Sequence, residues 1–394
     1  MLSDSYQLKI PSHRKVLNII RLHTEISGAE IARLVGLQPS TLVYILRSLR
    51  QRQFIKISRI GTQQGGAGKP PTLWRLVPEK GYVIGLEVIP NEIRATVIDF
   101  ACKTVFQDTS TFVQTVGKDN LAKSIVTCIR HLLEKVTLPT EKIIGAGIAL
   151  TGLIDRKNGV IRYSRKLNVQ NYPIQSELNE HFEFPLEIVN DANAGALGLK
   201  WHLGTMIWHH DHVVFLTLNE KIGYMGAGLV LSNRLFEGAH GTAGELTASI
   251  PSLHTLIEKG CQRYGNEQPI TAFKKEKGDI LIEDVIELTN KDCQVCHFVL
   301  RQYSQFIATE VVRSILFINP DMIVLGGDIT NARDLILDSI LDKVKKRLQR
   351  NFPTGIAIPD IHFAESGIYS VSLGATSLML RRIFMPDTPN TVTE

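Results

Sequence analysis

The chain has 394 residues, of which 44% are apolar, and a formal net charge of +5. This length exceeds one ordinary domain, so we expect two or three folded units, and the apolar content is ordinary for a soluble globular protein. No run of about 18 apolar residues occurs, so we do not expect a membrane-spanning helix. The charged start, which lacks an apolar signal segment, and the five cysteines favour the reducing cytoplasm over a disulfide-bonded exported protein.

Positive charge is concentrated in the first 80 residues. They contain 13 Lys and Arg against 4 Asp and Glu, a net charge of +9, so the remaining 314 residues sum to −4. A compact basic module attached to a mildly acidic body is typical of a protein that binds a polyanion. Charge alone equally permits a basic face that serves only solubility.

Two short helices are predicted early in this basic segment. Apolar residues at helical spacing predict the first over residues 13–22. A capping box then begins at Ser27, because its hydroxyl can accept from the Glu30 amide while the Glu30 carboxylate reaches back to the Ser27 N–H. The second helix is predicted over Ala29 to Val35 and ends at Gly36, a residue suited to a left-handed position.

The third predicted helix begins at Pro39, a residue favoured at the first helical position. One face repeats apolar residues at the spacing i, i+3, i+4, i+7: Leu42, Ile45, Leu46 and Leu49. The opposite face carries side chains that can hydrogen-bond: Gln38, Ser40, Thr41, Tyr44 and Arg47. Two helices joined by a glycine turn, the second with a polar outer face, predict a helix-turn-helix whose second helix enters the major groove of DNA.

The following segment predicts a wing. Residues 54–60 and 72–77 are strand-like, and a glycine-rich loop joins them. Such a loop can place a cation on a phosphate or in a narrow minor groove. We therefore predict an all-α winged helix-turn-helix domain over residues 1–80; the alternative is a small helical domain used for protein contacts. Phosphate contacts are expected from the basic residues of this region: Arg47, Arg50, Arg52, Lys56, Arg59 and Lys69.

An α/β unit is predicted from about Gly81 onward. Two strands flank a turn at Pro90–Asn91, and Asp191 follows another strand at a strand-to-helix junction, where α/β folds keep their chemistry. The near-continuous apolar run 142–150 is typical of a strand buried on both faces. The predicted strands cover 82–89, 93–100, 104–113, 142–150 and 185–190, with helices over 121–136 and 192–201.

Several stretches give the chain a resemblance to the ROK family, in particular to its regulators of the xylose and N-acetylglucosamine repressor type. The matching stretches are the helix-turn-helix and residues 68–73, 189–194, 235–245, 319–327 and 373–376. The resemblance implies an actin-like ATPase (RNase H-like) domain of two lobes over residues 81–394. It also implies a sugar cleft between the lobes and a dimer.

The chain departs from the family's kinases at both phosphate loops. Where they have Asp-x-Gly-Gly-Thr, this chain has Glu87 to Glu92, in which Pro90 lacks an N–H and Glu92 would repel a triphosphate. The second loop reads Asn219-Glu-Lys-Ile-Gly223, followed by an apparent insertion at 224–225. Phosphate binding needs converging N–H groups and close backbone approach, so we predict no kinase activity, no catalytic residue and no cofactor.

The family's zinc motif is also incomplete. Ala248 stands where the family has His, and only Gly260–Cys261 matches the end of its cysteine loop, whereas zinc requires four ligands. A second motif, Cys293-Gln-Val-Cys296-His297, spells a haem-attachment or metal sequence at the start of an amphipathic segment, residues 296–317. Because no second cluster completes it, we expect two buried or helix-surface thiols and no metal site.

A partial sugar site remains. By the resemblance, Asn190, Asp191 and Glu245 match positions that contact sugar hydroxyls, Asp191 matches the catalytic base, and Lys166 replaces an Asn. Without ATP there is nothing for Asp191 to activate, yet a carboxylate still accepts hydroxyl hydrogen bonds. The expected effector contacts are Gly152, Lys166, Asn190, Asp191 and Glu245. The effector is expected to be a sugar or a sugar phosphate, which Arg165 and Lys166 would suit; alternatively Asp191 only caps its helix and no ligand binds.

These predictions combine into a cytoplasmic transcription regulator of repressor type for carbohydrate genes. A homodimer, or a dimer of such dimers, would place two reading helices on the half-sites of a palindromic double-stranded operator. A carbohydrate effector would shift the protein between DNA-competent and incompetent states. Two alternatives stay open: an active sugar kinase with an accessory DNA-binding domain, and a regulator controlled by a protein partner.

Overall fold

The computed structural model describes residues 5–60, 70–112, 116–202, 210–219, 223–265, 270, 280–353 and 355–385. Lys69, Val113 and residues 220–222, on which predictions were made, lie outside these ranges, and so does the side chain of Ala248. The chain divides into two compact units. The first takes residues within 1–190, 198–206 and 372–394, and the second takes residues within 191–197 and 207–371. Among the described helices, none has the length and apolarity to cross a membrane.

The N-terminal module, residues 5–60 and 70–80, contains three helices and a small sheet. The helices are α1 (Pro11–His23), α2 (Gly28–Val35) and α3 (Pro39–Gln51). The strands are β1 (Ile26–Ser27), β2 (Ile55–Ile60) and β3 (Thr72–Leu76), in the antiparallel order β1-β3-β2. The prediction of an all-α module is therefore wrong: β3 pairs on both sides, and β1 is a two-residue strand too short to leave a periodic pattern.

Local chemistry explains why α2 and α3 form. The capping box is present: the Ser27 hydroxyl accepts from Glu30 N at 3.3 Å, and the Glu30 carboxylate accepts from Ser27 N at 3.2 Å. Gly36 has φ +72°, a left-handed conformation that glycine adopts without a Cβ clash, and its N–H closes the helix on Ala32 O. Pro39 stands in the first turn of α3, as predicted. The glycine turn therefore separates two helices of fixed length.

The first unit continues as a five-stranded sheet in the order β11-β7-β4-β5-β6. Its strands are β4 (Tyr82–Ile89), β5 (Glu92–Asp99), β6 (Thr104–Thr111), β7 (Ile143–Leu150) and β11 (Leu186–Asn190). A second, three-stranded sheet contains β8 (Leu153–Asp155), β9 (Val160–Ser164) and β10 (Val169–Tyr172). Helices α4 (Lys118–Val136) and α5 (Ile174–Asn179) complete its core. The strand and helix predictions hold, with shifted ends.

The second unit is built on a sheet in the order β14-β13-β12-β16-β17, with β15 paired to β13. Its strands are β12 (Val213–Asn219), β13 (Tyr224–Leu231), β14 (Arg234–Leu235), β15 (Glu245–Ser249), β16 (Met322–Gly327) and β17 (Asp360–Phe363). Its helices include α7 (Leu253–Tyr264), α8 (Ile282–Thr289), α9 (Gln294–Ile318) and α10 (Arg333–Asn351). The predicted insertion at residues 224–225 forms the first two residues of β13, paired in register with the end of β12.

Two helices have residues in both units. Helix α6 (Asp191–His202) begins in the second unit and ends in the first, and so does α11 (Ser370–Phe384). Within the first unit, α11 lies directly on the sheet, because a Cβ on Gly85 of β4 would overlap the Ser372 carbonyl oxygen. The Thr96 and Ser372 hydroxyls are 2.8 Å apart and join β5 to the same turn of α11.

Replacing Gly85 by Ala should therefore destabilise the protein. The added methyl group has no space against the backbone of α11, and overpacking of this kind costs about 1–3 kcal/mol. Gly28→Ala is the matched control, because its Cβ would lie 3.9 Å from Leu46 Cδ1, an ordinary contact. Urea unfolding of the two variants measures the difference. Equal midpoints for both would contradict close packing of α11 on β4.

Candidate nucleic-acid interface and sugar-contacting residues

Helix α3 is amphipathic in the structure as predicted. Its apolar face is buried: Leu42, Ile45, Leu46 and Leu49. Its polar face is open to solvent: Gln38 at the N-cap, Ser40, Thr41, Tyr44, Arg47 and Arg50. Tyr44 is 67% exposed, which is unusual for a tyrosine unless the ring has a partner outside the chain. The fold therefore presents one continuous face of donors, acceptors and cations.

The acidic residues of the described module do not cancel its positive charge locally. Glu25 accepts from Ser58 and pairs with Arg59 at 3.0 Å, and these hydrogen bonds hold the pKa of Glu25 below its usual range. Glu79 lies 3.6 Å from Lys56, and Glu30 is taken up in the capping box. Because each acid is engaged elsewhere, the face of α3 keeps its positive potential.

Arg52 differs from the other predicted phosphate contacts. It is half-buried just after α3, and its guanidinium donates to Gln7 O at 2.8 Å and to Ser5 O at 3.4 Å. It also lies 5.0 Å from the centre of the Phe54 ring. Arg52 therefore holds the N-terminal residues against the end of α3, a structural role that its sequence position did not reveal.

An arginine and four aromatic rings hold the module on the rest of the first unit. The Arg21 guanidinium lies 4.4 Å from the ring of Trp201 at the end of α6 and 5.7 Å from that of Phe384 at the end of α11. It also donates to Trp201 O at 3.2 Å. Phe100 continues the cluster, with ring centres 5.3 Å from Phe384 and 5.6 Å from Phe54. We call these five residues the Arg21 cluster.

His202 lies beside this cluster at the last residue of α6. Its Nε2 is 3.2 Å from the Thr376 hydroxyl of α11. Burial, and then the positive charge of Arg21, lowers the pKa of His202 from 6.5 to about 4. The imidazole is therefore neutral near pH 7, which avoids a second cation next to Arg21.

Three of the predicted effector residues lie in the first unit. Asn190 ends β11, and its side-chain amide donates to Gly152 O at 3.1 Å. Gly152 packs against the backbone of Tyr163 and Ser164 in β9. Lys166, half-buried, lies in the turn that follows β9. The structure thus brings Asn190, Gly152 and the β9–β10 turn together, as a common site requires.

Asp191 and Glu245 lie in the second unit. Asp191 is buried at the start of α6, and one of its carboxylate oxygens accepts from Ala192 N at 2.8 Å, so it does stabilise the start of the helix. Glu245 of β15 stands opposite Gly226 of β13, which packs against Ala192. Its side chain reaches solvent, yet the surrounding protein displaces enough water to raise the pKa of Glu245. Both carboxylates therefore flank Gly226.

A buried ion-pair group occupies the β4–β5 hairpin, where the kinases of the family have their first phosphate loop. Arg94 Nε donates to Glu92 at 2.7 Å, and an Arg94 terminal nitrogen lies 3.7 Å from Glu87. All three side chains are buried. The turn uses Pro90 and Asn91, the latter at φ +62°. Sequence alone pointed to lost glycines but missed that Arg94 lies directly across from Glu87.

The cysteine motif lies in a hydrophobic core. Cys293 and Cys296 are buried at the start of α9 among the apolar residues of the second unit. His297 is only half-buried, and its nearest acid is Asp292 at 3.9 Å. Within the ranges that the structure describes, no group of three or more His, Cys, Asp or Glu side chains is arranged to hold a metal ion.

Together, the N-terminal module and the two α/β units define a class of protein: a two-unit, actin-like sugar-kinase fold preceded by a helical module. The chain belongs to the ROK family, whose model matches residues 83–382. The resemblance inferred from sequence motifs is thus confirmed.

The chain is similar along most of its length to named repressors. It is 24% identical to the xylose repressor of Caldicellulosiruptor bescii, over 84% of this chain and 86% of that protein. It is 20% identical to the DNA-binding transcriptional dual regulator NagC of Escherichia coli, over 87% and 86%.

Solved structures agree on the fold. A ROK family transcriptional regulator described as a homologue of the E. coli Mlc protein matches 95% of this chain and 97% of its own, with a TM-score of 0.70 and 16% identity. A ROK glucokinase from Streptomyces griseus matches 76% of this chain, starting from all but 1% of its own length, with a TM-score of 0.61 and 20% identity. The regulator thus matches a larger share of this chain than the kinase does.

The pKa of His202 predicts a pH-dependent stability. Because its folded pKa is about 4 and its ordinary value 6.5, the unfolded chain binds the proton first as the pH falls. Stability from the neutral imidazole is complete above pH 6.5 and is lost between pH 6.5 and 4, by about 3 kcal/mol in total.

His202→Gln removes this titration, so the difference in unfolding free energy between wild type and variant should shrink as the pH falls through that window. The exposed His254 supplies the control, His254→Gln, which should track the wild type. Parallel pH profiles for wild type and His202→Gln would show that His202 is not buried as described.

Proposed function

We propose that the chain is a DNA-binding transcription regulator, of repressor type, for carbohydrate-metabolism genes. The observation that carries this is the solvent-exposed polar and basic face of α3, held behind a glycine turn by a buried apolar face. We interpret α2 and α3 as a helix-turn-helix and the β2–β3 hairpin as its wing. The relatives named as repressors support this reading.

In the proposed complex, α3 enters the major groove. Gln38, Ser40, Thr41, Tyr44 and Arg47 contact base edges, while Arg50, Lys56, Arg59 and Lys69 contact phosphates. A homodimer then places two copies of α3 on the half-sites of a palindromic operator, one helical turn or a multiple apart.

We further propose that the α/β units bind a sugar-like effector and no longer transfer phosphate. Gly152, Lys166 and Asn190 in one unit, and Asp191 and Glu245 in the other, offer the polar atoms that recognise hydroxyl groups. In the β4–β5 hairpin, Arg94 is already committed to Glu87 and Glu92, and the turn lacks the converging N–H groups that hold ATP phosphates.

Helix α6 gives the effector a physical connection to the DNA. Asp191 stands at its first residue, and Trp201 in its last turn belongs to the Arg21 cluster that holds the N-terminal module. A ligand that shifts Asp191 in one state therefore acts on the element that supports α3. Its effect cannot exceed its difference in affinity for the two states, and DNA must affect ligand affinity equally.

Arg47→Ala and Tyr44→Ala should each weaken binding to a duplex that the protein selects from a random pool. A lost base contact costs about 1–3 kcal/mol, roughly a tenfold to hundredfold loss of affinity. Arg130→Ala removes an exposed arginine from α4, outside the module, and is the matched control. Fluorescence anisotropy at one fixed salt concentration measures all three. Unchanged affinity for both α3 variants would refute the assignment of the reading face.

A panel of sugars and sugar phosphates separates the regulator from a kinase. An effector that binds only the folded protein must raise its melting temperature, by a stabilisation of about 2.7 kcal/mol at a hundredfold excess over Kd. Asp191→Asn should reduce that shift, while a coupled assay with ATP should show no ADP formation. Sugar-dependent turnover would establish the kinase alternative in its place.

A further inference from the structure

A cleft of about 360 Å³ opens in the N-terminal module beside the reading helix. It is formed by the segment that precedes α1, by one side chain of α1 and by the C-terminal part of α3. Its lining residues are Gln7, Leu8, Lys9, Ile10, His13, Ser48 and Arg52. None of the predictions from sequence used it.

One polar atom in its wall has no partner. His13 is only 4% exposed, and among the described residues its Nδ1 makes no hydrogen bond. A buried polar atom left without a partner costs free energy, so such atoms often mark a position that a ligand or water fills. The His13 ring is otherwise fixed, because it packs edge-to-face on Tyr44 with ring centres 6.5 Å apart.

The charge of the lining favours an anion. Lys9 is exposed at the mouth, Arg52 contributes a second cation, and the lining has no acidic side chain. Ser48 adds a half-buried hydroxyl. Burial, and then Arg52, lowers the pKa of His13, so its neutral ring can donate one hydrogen bond without adding charge.

The position of the cleft identifies the source of the anion. Ser48 lies one helical turn after Tyr44, so both occupy the same side of α3. A helix seated in the major groove has base edges in front of it and phosphate groups along its flanks.

We propose that the cleft binds a backbone phosphate of the DNA that α3 reads. Lys9 and Arg52 supply the charge, and His13 and Ser48 supply hydrogen bonds that fix the register of the helix. This inference rests on the proposed function, since it names a further contact of the same interface.

Salt dependence gives the most direct test. Each phosphate contact releases counterions, so Lys9→Ala should lower the slope of log affinity against log salt concentration by about one. Lys9 is exposed, so its loss does not disturb the core. Lys123→Ala, an equally exposed lysine on α4, is the control and should keep the wild-type slope.

A second variant tests the buried side chain. His13→Phe keeps an aromatic ring against Tyr44 but removes both nitrogens, so affinity for the selected duplex should fall about fivefold or more. Ser48→Ala should act in the same direction, and it serves as the test if the His13 variant melts early.

The outcomes separate the two proposals. If the wild-type protein binds no duplex at all, the proposed function fails, and the cleft proposal fails with it. If the wild type binds duplex but Lys9→Ala keeps the full slope and Ser48→Ala the full affinity, the cleft proposal alone is overturned.

Discussion

A cation held against aromatic rings joins the N-terminal module to the α/β part of the first unit. Arg21 reaches out of α1 to Trp201 and Phe384, the C-terminal turns of α6 and α11. A partly desolvated contact of this kind is worth about 2 kcal/mol, and only an aromatic face accepts a guanidinium there without a counter-charge. The position of α3 on the unit, and thus any connection between ligand and DNA, depends on this contact.

The arrangement around it keeps the local charge low. His202 is neutral because of its burial and the nearby Arg21. The Cys102 thiol, which hydrogen-bonds Arg21, has its pKa raised to about 11 by burial, so it too is uncharged near neutral pH. Arg21 therefore carries the only charge at the centre of the described cluster. Replacing it with a neutral side chain would remove the attraction without creating a new repulsion.

The β4–β5 hairpin explains how a kinase fold can serve another purpose. Buried ion pairs are expensive to form, and Arg94 with Glu87 and Glu92 occupies a hairpin that needs only small residues and free N–H groups in a phosphate-binding protein. Fold and function separate at such a site, because the sheet tolerates either solution. The relation to both repressors and glucokinases is then expected.

Local signals were enough to predict much of the fold. The capping box at Ser27, the Gly36 turn and the apolar repeat of α3 all act within a few residues, so the sequence shows them directly. Strand β1 escaped because two residues carry no period. Pairing of Glu87 with Arg94 depends on hairpin register, and the Arg21 cluster joins residues more than 180 positions apart. No local pattern contains either.

The candidate site divides in the same way. The exposed face of α3 followed from helical spacing, because side chains opposite an apolar stripe must face solvent. The anchoring role of Arg52 and the open Nδ1 of His13 depend on how residues 5–10 fold back on α3, which is a tertiary contact. Resemblance identified Asn190 and Asp191, whereas the hydrogen bond from Asn190 to Gly152 required the structure.

Hydrogen–deuterium exchange with and without a selected DNA duplex tests the central claim most directly. If α3 reads DNA and the Arg21 cluster carries its state to the α/β fold, DNA should slow exchange in α3 and also in the last turns of α6 and α11. In Arg21→Met the slowing should remain in α3 and disappear from the other two helices. Slowing confined to α3 in the wild type, or absent from α3 altogether, would contradict the account.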